Sequence, residues 1–146
     1  GGQTITIDCP DINPDFDMQI SGLATIHLMT VPTFDGGQIF VEMQDAQTGM
    51  RIGHATMDVR YHAGGSDPQT VTPGSGVTML MEFQAIDAII PAGNGLRFFL
   101  SDTGEDYLAP ACGTACVLHV LPSMSTFEAP IIERDGSNTL IVPMYQ

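Results

Sequence analysis

The sequence contains no tryptophan, no lysine and only four arginines in 146 residues. With seventeen acidic residues, the formal net charge is −13. Nucleic acids and anionic membrane surfaces are bound through Lys and Arg, so the composition argues against both partners. A run of about 18 apolar residues is also missing, which argues against membrane insertion. The composition favours a protein whose acidic surface keeps it in solution or attracts cations.

Cysteine is scarce as well, with three residues. Cys112 and Cys116 lie four positions apart, a spacing that fits a small disulfide across a turn. Such a disulfide would indicate an oxidising compartment, and we therefore expect an extracellular or cell-surface location. Zinc is the weaker alternative, because only His119 lies near this pair. Cys9 would remain free or pair elsewhere.

Short runs of β-branched and apolar residues, separated by Gly and Pro turns, predict no amphipathic helix and about eight strands, at residues 4–7, 18–31, 38–45, 50–61, 77–86, 96–100, 116–121 and 138–143. Strands in this arrangement are typical of an all-β sandwich or barrel, and the long crossing loops favour a jelly roll. The chain length fits a single domain over residues 1–146. In the middle of this pattern, the apolar run 96–100 carries Arg97. We interpret it as a buried strand whose arginine pairs with a carboxylate.

Catalytic motifs are weak. A serine hydrolase of the α/β class needs Gly-x-Ser-x-Gly on a strand-to-helix turn, and the nearest sequence, Gly74-Ser75-Gly76, has neither the spacing nor a helix after it. Three of the four histidines fall inside predicted strands, and no nucleophile and base are paired by the sequence. We therefore predict that this chain is not an enzyme.

Calcium is the candidate cofactor. Oxygen-bearing side chains alternate along one loop, as in a calcium-binding loop, at Asp11, Asn13, Asp15 and Asp17. The loop is not an EF-hand, because Phe16 replaces the glycine at its sixth position and no glutamate stands at its twelfth. A second acidic loop adds three metal-ligand candidates, Asp102, Glu105 and Asp106. The alternative for both segments is a solvated acidic loop.

Carbohydrate binding would require an exposed aromatic platform. Tyr107, beside the second acidic loop, is the best candidate, and it would share a groove with Asn94, Asp102 and Gln84. The alternative is a tyrosine that anchors its loop through the hydroxyl group.

Several short segments occur in a familiar order: DMQISGL (17–23), QIFVEMQD (38–45), IGHA (52–55), PG (73–74), PAGNGLRF (91–98) and LSD (100–102). Together they resemble the C-terminal domain of the X-prolyl dipeptidyl-peptidase and cocaine-esterase family of serine hydrolases. The resemblance runs from about Asp15 to Pro143. It implies a jelly-roll sandwich of the galactose-binding-domain type that packs against an α/β-hydrolase catalytic domain. The Ser-His-Asp triad of the family lies in that catalytic domain.

The resemblance implies a non-catalytic accessory domain that supports docking, assembly or substrate presentation, with the α/β-hydrolase domain as its partner. The alternative is a carbohydrate-binding module, with or without calcium, whose partner is a polysaccharide. A docking role predicts a contiguous apolar patch on one sheet. Met79, Met81 and the Phe98–Phe99 pair are the residues expected to be exposed there.

Overall fold

Eleven β-strands and two single-turn 3-10 helices form the regular structure within the residues that the computed structural model describes, which are 4–9, 16–33, 37–101, 118–133 and 136–144. The 3-10 turns are Val59–Tyr61 and Pro122–Met124. No helix in these ranges has the length and hydropathy needed to cross a membrane. The strands are β1 (Thr4–Cys9), β2 (Met18–Gly22), β3 (Thr25–Pro32), β4 (Gln38–Asp45), β5 (Arg51–Asp58), β6 (Val77–Glu82), β7 (Ile86–Ile90), β8 (Leu96–Ser101), β9 (Leu118–Val120), β10 (Thr126–Glu133) and β11 (Gly136–Pro143).

The strands form two antiparallel sheets, which confirms the predicted all-β sandwich. The four-stranded sheet has the order β1-β8-β4-β5. The larger sheet has the order β6-β3-β10-β2-β7, with β11 added to β10 and β9 added to β3. β8, the strand that carries Arg97, lies between β1 and β4 and directs Leu96, Phe98 and Leu100 into the core.

The described residues hold eleven strands instead of the predicted eight or so, for two reasons. The predicted strand 18–31 is divided by a short bend into β2 and β3, and the predicted strand 77–86 ends at Glu82, with the separate strand β7 beginning at Ile86. β10 was missed altogether, since it contains Pro130 and two glutamates, residues that usually argue against an interior strand.

β10 lies beside both β2 and β3, and the change of partner occurs at Pro130. Residues Thr126 to Glu128 pair with β3, whereas Ile131 and Ile132 pair with β2. Proline lacks the N–H that a regular ladder needs at this point, so it fits the break between the two pairings. Opposite it, Gly22 has φ +128°, and a Cβ atom there would lie 2.9 Å from Cγ of Pro130. Gly22 is therefore required both by its backbone conformation and by the close approach of Pro130.

The core is formed by alternate residues of the two facing sheets. In β3 and β4 the buried and half-buried positions alternate without interruption, the pattern of a strand with one face in a core. Three phenylalanines connect the layers. The centroid of the Phe127 ring lies 6.3 Å from the centroid of the Phe83 ring and 5.2 Å from that of the Phe98 ring. Phe98 belongs to the smaller sheet and Phe127 to the larger one, so this cluster ties the two sheets together.

The prediction that Met79, Met81 and Phe98 form an exposed patch is wrong. All three side chains are buried, at 0 to 1 % exposure, and Phe99 is half-buried. The period of two explains the error, since Met79 and Met81 occupy inward positions of β6 and Phe98 an inward position of β8. The exposed apolar residues lie elsewhere in the molecule.

Candidate functional site

Large apolar side chains are exposed on the outer face of the seven-stranded sheet. Ile89 of β7 is 56 % exposed, Ile132 of β10 is 43 % exposed and Ile141 of β11 is 64 % exposed. Each occupies an outward position, next to a strand neighbour that points into the core or toward it. We call this surface, with the half-buried Pro130, the isoleucine face.

The strand register brings these residues together. Ile89 pairs with Gln19 of β2, and Gln19 pairs in turn with Ile132, so the three form one row across the sheet. Pro130 lies two residues from Ile132, and its cross-strand partner Thr139 lies two residues from Ile141. Diagonal neighbours of this kind are about 7–8 Å apart, close enough for large side chains to meet. The isoleucine face is therefore one connected surface.

The rim of the isoleucine face is acidic. Glu82 of β6, Asp87 of β7 and Glu128 of β10 are exposed on the outer face of the same sheet, and Glu128 lies directly opposite Ile141. Gln19, which lies between Ile89 and Ile132 in the row, donates a hydrogen bond from its amide to the Asp87 carboxylate. Of the arginines that the structure describes, Arg51 and Arg97 lie on the four-stranded sheet and Arg60 follows β5. A complementary surface would accordingly have an apolar centre and a basic rim.

The outer face of the four-stranded sheet is polar instead. Nε of Arg97 lies 2.6 Å from Oδ1 of Asp8, its cross-strand partner, and this hydrogen bond raises the pKa of the guanidinium. The predicted pairing of Arg97 with a carboxylate is thus observed, although the pair lies on the surface of the sheet. Arg51 and Glu42 form a second ion pair at 3.1 Å. These contacts keep the polar groups of this face engaged with one another.

A buried carboxylate organises the turns at one end of the sandwich. Asp45, 1 % exposed, accepts hydrogen bonds from the Asn94 amide and from the backbone N–H groups of Gln47 and Thr48. Burial alone would raise the pKa of Asp45, but these hydrogen bonds outweigh it, so the pKa lies below its usual value. The carboxylate therefore stays ionised and fixes the two turns.

Asn94 and Gln84, two of the carbohydrate-binding candidates, lie in different settings. Asn94 donates its amide to Asp45. Gln84 lines a shallow groove of about 320 Å³ between β5 and the segment that joins β6 to β7. The other residues of this groove are Arg51, Ile52, Gly53, His54, Ala85 and Ile86. The remaining carbohydrate-binding candidates, Tyr107 and Asp102, lie outside the described residues.

Of the metal-ligand candidates, the structure describes Asp17. Its Oδ1 accepts a hydrogen bond of 2.9 Å from the backbone N–H of Ala92. Within the described ranges, no three His, Cys, Asp or Glu residues come together in a way that could hold a metal ion. The other candidates lie outside those ranges: Asp11, Asn13, Asp15, Asp102, Glu105 and Asp106. The proposed disulfide pair, Cys112 and Cys116, lies outside them too, so both suggestions stay predictions.

Cys9 is a free, buried thiol in the core. Its Sγ lies 3.7 Å from the carbonyl oxygen of Pro143. Burial, together with the nearby charge of Asp8, raises the pKa of Cys9 to about 11. The group therefore behaves as a small apolar side chain and not as a nucleophile.

Sequence reasoning missed the isoleucine face. Ile132 lies in the unrecognised strand β10, and Ile141 lies on a hairpin whose other strand was not predicted. Ile89 and Ile90 are adjacent, so sequence alone does not say which of them faces water. The alternation of β10 was the available signal, and Pro130 concealed it.

Comparison with known proteins supports the resemblance drawn from the sequence. Residues 15–116 match the family model described as "X-Pro dipeptidyl-peptidase C-terminal non-catalytic domain". No curated protein matches the chain.

Several solved hydrolases contain a domain of the same fold. An aminopeptidase from a marine sediment Thaumarchaeota archaeon superposes with a TM-score of 0.65 at 9 % identity, covering 89 % of this chain and 26 % of its own. An α-amino acid ester hydrolase gives 0.62 at 12 % identity, covering 98 % and 25 %. A CocE/NonD family hydrolase from Staphylococcus aureus gives 0.54 at 10 % identity, covering 99 % and 33 %. The chain thus spans a quarter to a third of the length of these proteins.

Proposed function

Because the chain belongs to the family of X-Pro dipeptidyl-peptidase C-terminal non-catalytic domains, and so is not itself an enzyme, we propose that it docks on the catalytic domain of a hydrolase through its isoleucine face. The observation that carries the proposal is the row formed by Ile89, Gln19 and Ile132, which continues through Pro130 toward Ile141. Three isoleucines on the outside of one sheet expose apolar area that a partner would remove from water.

The distribution of exposed apolar residues favours this sheet over the other. Of the eight large hydrophobic residues that are exposed among the described residues, three form the isoleucine face. Leu23, Leu121 and Met124 lie in connections next to strands of the same sheet. The remaining two are Ile5, which lies on the edge strand β1, and Met50, which lies in the β4–β5 turn. A partner with an apolar patch and a rim of Lys and Arg would complement this surface.

The chain corresponds to only a quarter to a third of each similar solved structure, which agrees with an accessory role. The similar proteins are described as an aminopeptidase, an α-amino acid ester hydrolase and a CocE/NonD family hydrolase, and most of each lies beyond the region that this chain covers. A domain that is non-catalytic in such a protein contributes by its contacts. We propose that these contacts support the assembly of the hydrolase or help to present its substrate.

The test is binding to the catalytic domain encoded with this chain, measured by size-exclusion chromatography and calorimetry. We expect Ile89→Arg combined with Ile132→Arg to weaken binding at least about tenfold, because both substitutions place a charge in the apolar centre. Thr6→Arg combined with Met50→Arg adds the same charge away from the isoleucine face, and this control should bind like the wild type. Circular dichroism and thermal unfolding verify that each variant is folded.

Two results would contradict the proposal. If the wild-type chain does not bind the catalytic domain, the docking function is wrong. If it binds and the double isoleucine variant binds equally well, docking occurs through another surface.

The carbohydrate-binding alternative has less support. The Asn94 amide is already hydrogen-bonded to Asp45. Gln84 lines a groove, but none of the described residues that line this groove is a tyrosine. Affinity electrophoresis against soluble polysaccharides, with calcium and with chelator, tests this alternative directly. The proposed extracellular or cell-surface location rests on the predicted Cys112–Cys116 disulfide, which peptide mapping without reduction would detect.

A further inference from the structure

β11 forms an open edge of the seven-stranded sheet. In the described part of the chain it is hydrogen-bonded to β10 alone, over eight residue pairs with no shift in register. Six of its eight residues are exposed, and the other two, Leu140 and Val142, are half-buried. Among the described residues, no strand lies on the side of β11 that faces away from β10.

The hydrogen-bonding direction of each residue in β11 follows from one bond. The N–H of Met144 donates to the carbonyl oxygen of Ser125, just beyond the last pair of the ladder. Since bonded and non-bonded pairs alternate in an antiparallel ladder, Ser137, Thr139 and Ile141 direct their N–H and C=O groups away from β10. The N–H of Thr139 donates to Oδ1 of the neighbouring Asn138 at 2.8 Å, so an added strand would displace this side chain. Pro143 has the same parity, so its missing N–H falls on the open edge and ends the row of donors.

Edge strands normally carry features that prevent pairing, such as charges, bulges or a covering segment. The other long edges show them: β1 contains Asp8, β5 begins at Arg51 and ends at Asp58, and β7 contains Asp87. β11 reads GSNTLIVP and has no charge, although the chain carries a net charge of −13, and its protective residue, Pro143, stands at its last position. Thr139, Ile141 and Val142 are β-branched residues that favour an extended partner.

We propose that the open edge of β11 binds an extended, basic segment of another polypeptide as an added antiparallel strand. The backbone groups of Ser137, Thr139 and Ile141 form the ladder, as in peptide recognition by β-augmentation. Lysine or arginine in the added strand compensates for the acidic surface beside the edge, where β10 carries Glu128 and Glu133. A second copy of this chain is a poor occupant, because it brings a further net charge of −13.

This inference does not depend on docking through the isoleucine face, since it uses backbone groups at the edge and not the outward side chains. The two are separable by experiment. The variant with Ile89→Arg and Ile132→Arg retains all of β11, so we expect it to bind a strand-forming peptide like the wild type.

The probe is a fluorescein-labelled synthetic peptide of alternating lysine and valine, titrated with the chain at near-physiological ionic strength. The matched control peptide has the same sequence and charge but is N-methylated at successive residues, which blocks both of its hydrogen-bonding edges. We expect the wild-type chain to bind the unmodified peptide at least about tenfold more tightly than the control, because several backbone hydrogen bonds are lost together.

On the protein, Thr139→Pro removes one outward N–H and none of those bonded to β10, so binding should weaken about fivefold to tenfold. Thr139→Val keeps the N–H and should bind within about twofold of the wild type. If Thr139→Pro does not fold, Ser137→Pro removes another outward N–H nearer the end of the hairpin.

Equal affinity for the two peptides would overturn the proposal, because attraction of charge alone would then explain binding. Unchanged binding by folded Thr139→Pro and Ser137→Pro would place the peptide elsewhere. A dimer of the chain that Thr139→Pro dissociates would show that a second copy occupies the edge, and would overturn the choice of a basic partner.

Discussion

The Asn94 amide donates to both carboxylate oxygens of Asp45, at 3.2 and 3.0 Å, and so joins the turn before β8 to the turn after β4. Backbone bonds reinforce the junction: Ala46 donates to the carbonyl of Gly95, and Gly95 donates to the side-chain oxygen of Gln47. Two segments about 50 residues apart in sequence are thereby held in one rigid unit, with a buried carboxylate at its centre.

Stability should decrease in acid as Asp45 becomes protonated. The folded-state pKa of Asp45 lies below the usual value of 3.8, so its stabilising effect is complete above that value and is lost as the pH falls through the lower folded-state pKa. We expect Asp45→Asn to lower the free energy of unfolding by about 1–3 kcal/mol at neutral pH, because the buried charge-assisted bonds are lost. Urea unfolding from pH 7 to 3 measures the difference, which should shrink below about pH 4. A difference that stays constant down to pH 3 would contradict the ionised role of Asp45.

Gly22→Ala should destabilise the domain by about 1–3 kcal/mol, because it strains a positive-φ backbone and drives a Cβ atom against Pro130. Gly49→Ala provides the control, since Gly49 also has positive φ but a Cβ atom there would meet nothing within 4 Å beyond its chain neighbours. The cost of the clash with Pro130 is then the amount by which the loss of stability in Gly22→Ala exceeds the loss in Gly49→Ala. Adding Pro130→Ala to Gly22→Ala should recover some of that excess, and thermal unfolding of the four proteins completes the cycle. Strict additivity of the two substitutions would rule out the clash.

Phe127→Ala should cost about 3–5 kcal/mol, because the ring is fully buried and contacts rings from both layers. Ile132→Ala on the same strand should change the free energy of unfolding by only about 0.5 kcal/mol, because its side chain is largely exposed. Denaturant unfolding monitored by circular dichroism compares the two. Similar costs would mean that Phe127 is not the link between the sheets.

Cys9 should resist alkylation in the folded protein. Its raised pKa and its burial leave little thiolate at neutral pH, so iodoacetamide should modify it only after unfolding. Peptide-level mass spectrometry with and without denaturant distinguishes Cys9 from Cys112 and Cys116. Rapid modification of Cys9 under native conditions would show that the core opens around it.

Sequence patterns predicted the fold where each strand has one buried face and one polar face. The strand at residues 38–45 was recognised with its observed bounds, and the run that carries Arg97 was placed correctly in a buried strand. The period of two says which residues share a face but not which face is buried. Met79 and Met81 were therefore assigned to the wrong side.

Contacts between distant segments were beyond the sequence. Nothing local indicates that Asp8 lies opposite Arg97 or that Asn94 meets Asp45, because those pairs depend on how the strands are ordered in the sheets. The same applies to the isoleucine face, which exists only because β7, β2, β10 and β11 lie side by side. β10, the central strand of that group, was not predicted because proline usually argues against an interior strand, and β10 contains Pro130. That rule holds for regular ladders and fails where a strand changes its pairing partner.

The position of β10 also determines when this domain can fold during synthesis. β2 and β3 emerge from the ribosome early, but their shared neighbour comes from residues 126–133, near the end of the region described. Until then β2 has β7 beside it and β3 has β6 and β9, and Phe127 is missing from between the two layers. We therefore expect this domain to remain without a stable core until residues 126–133 have been synthesised, and to fold slowly through distant pairings.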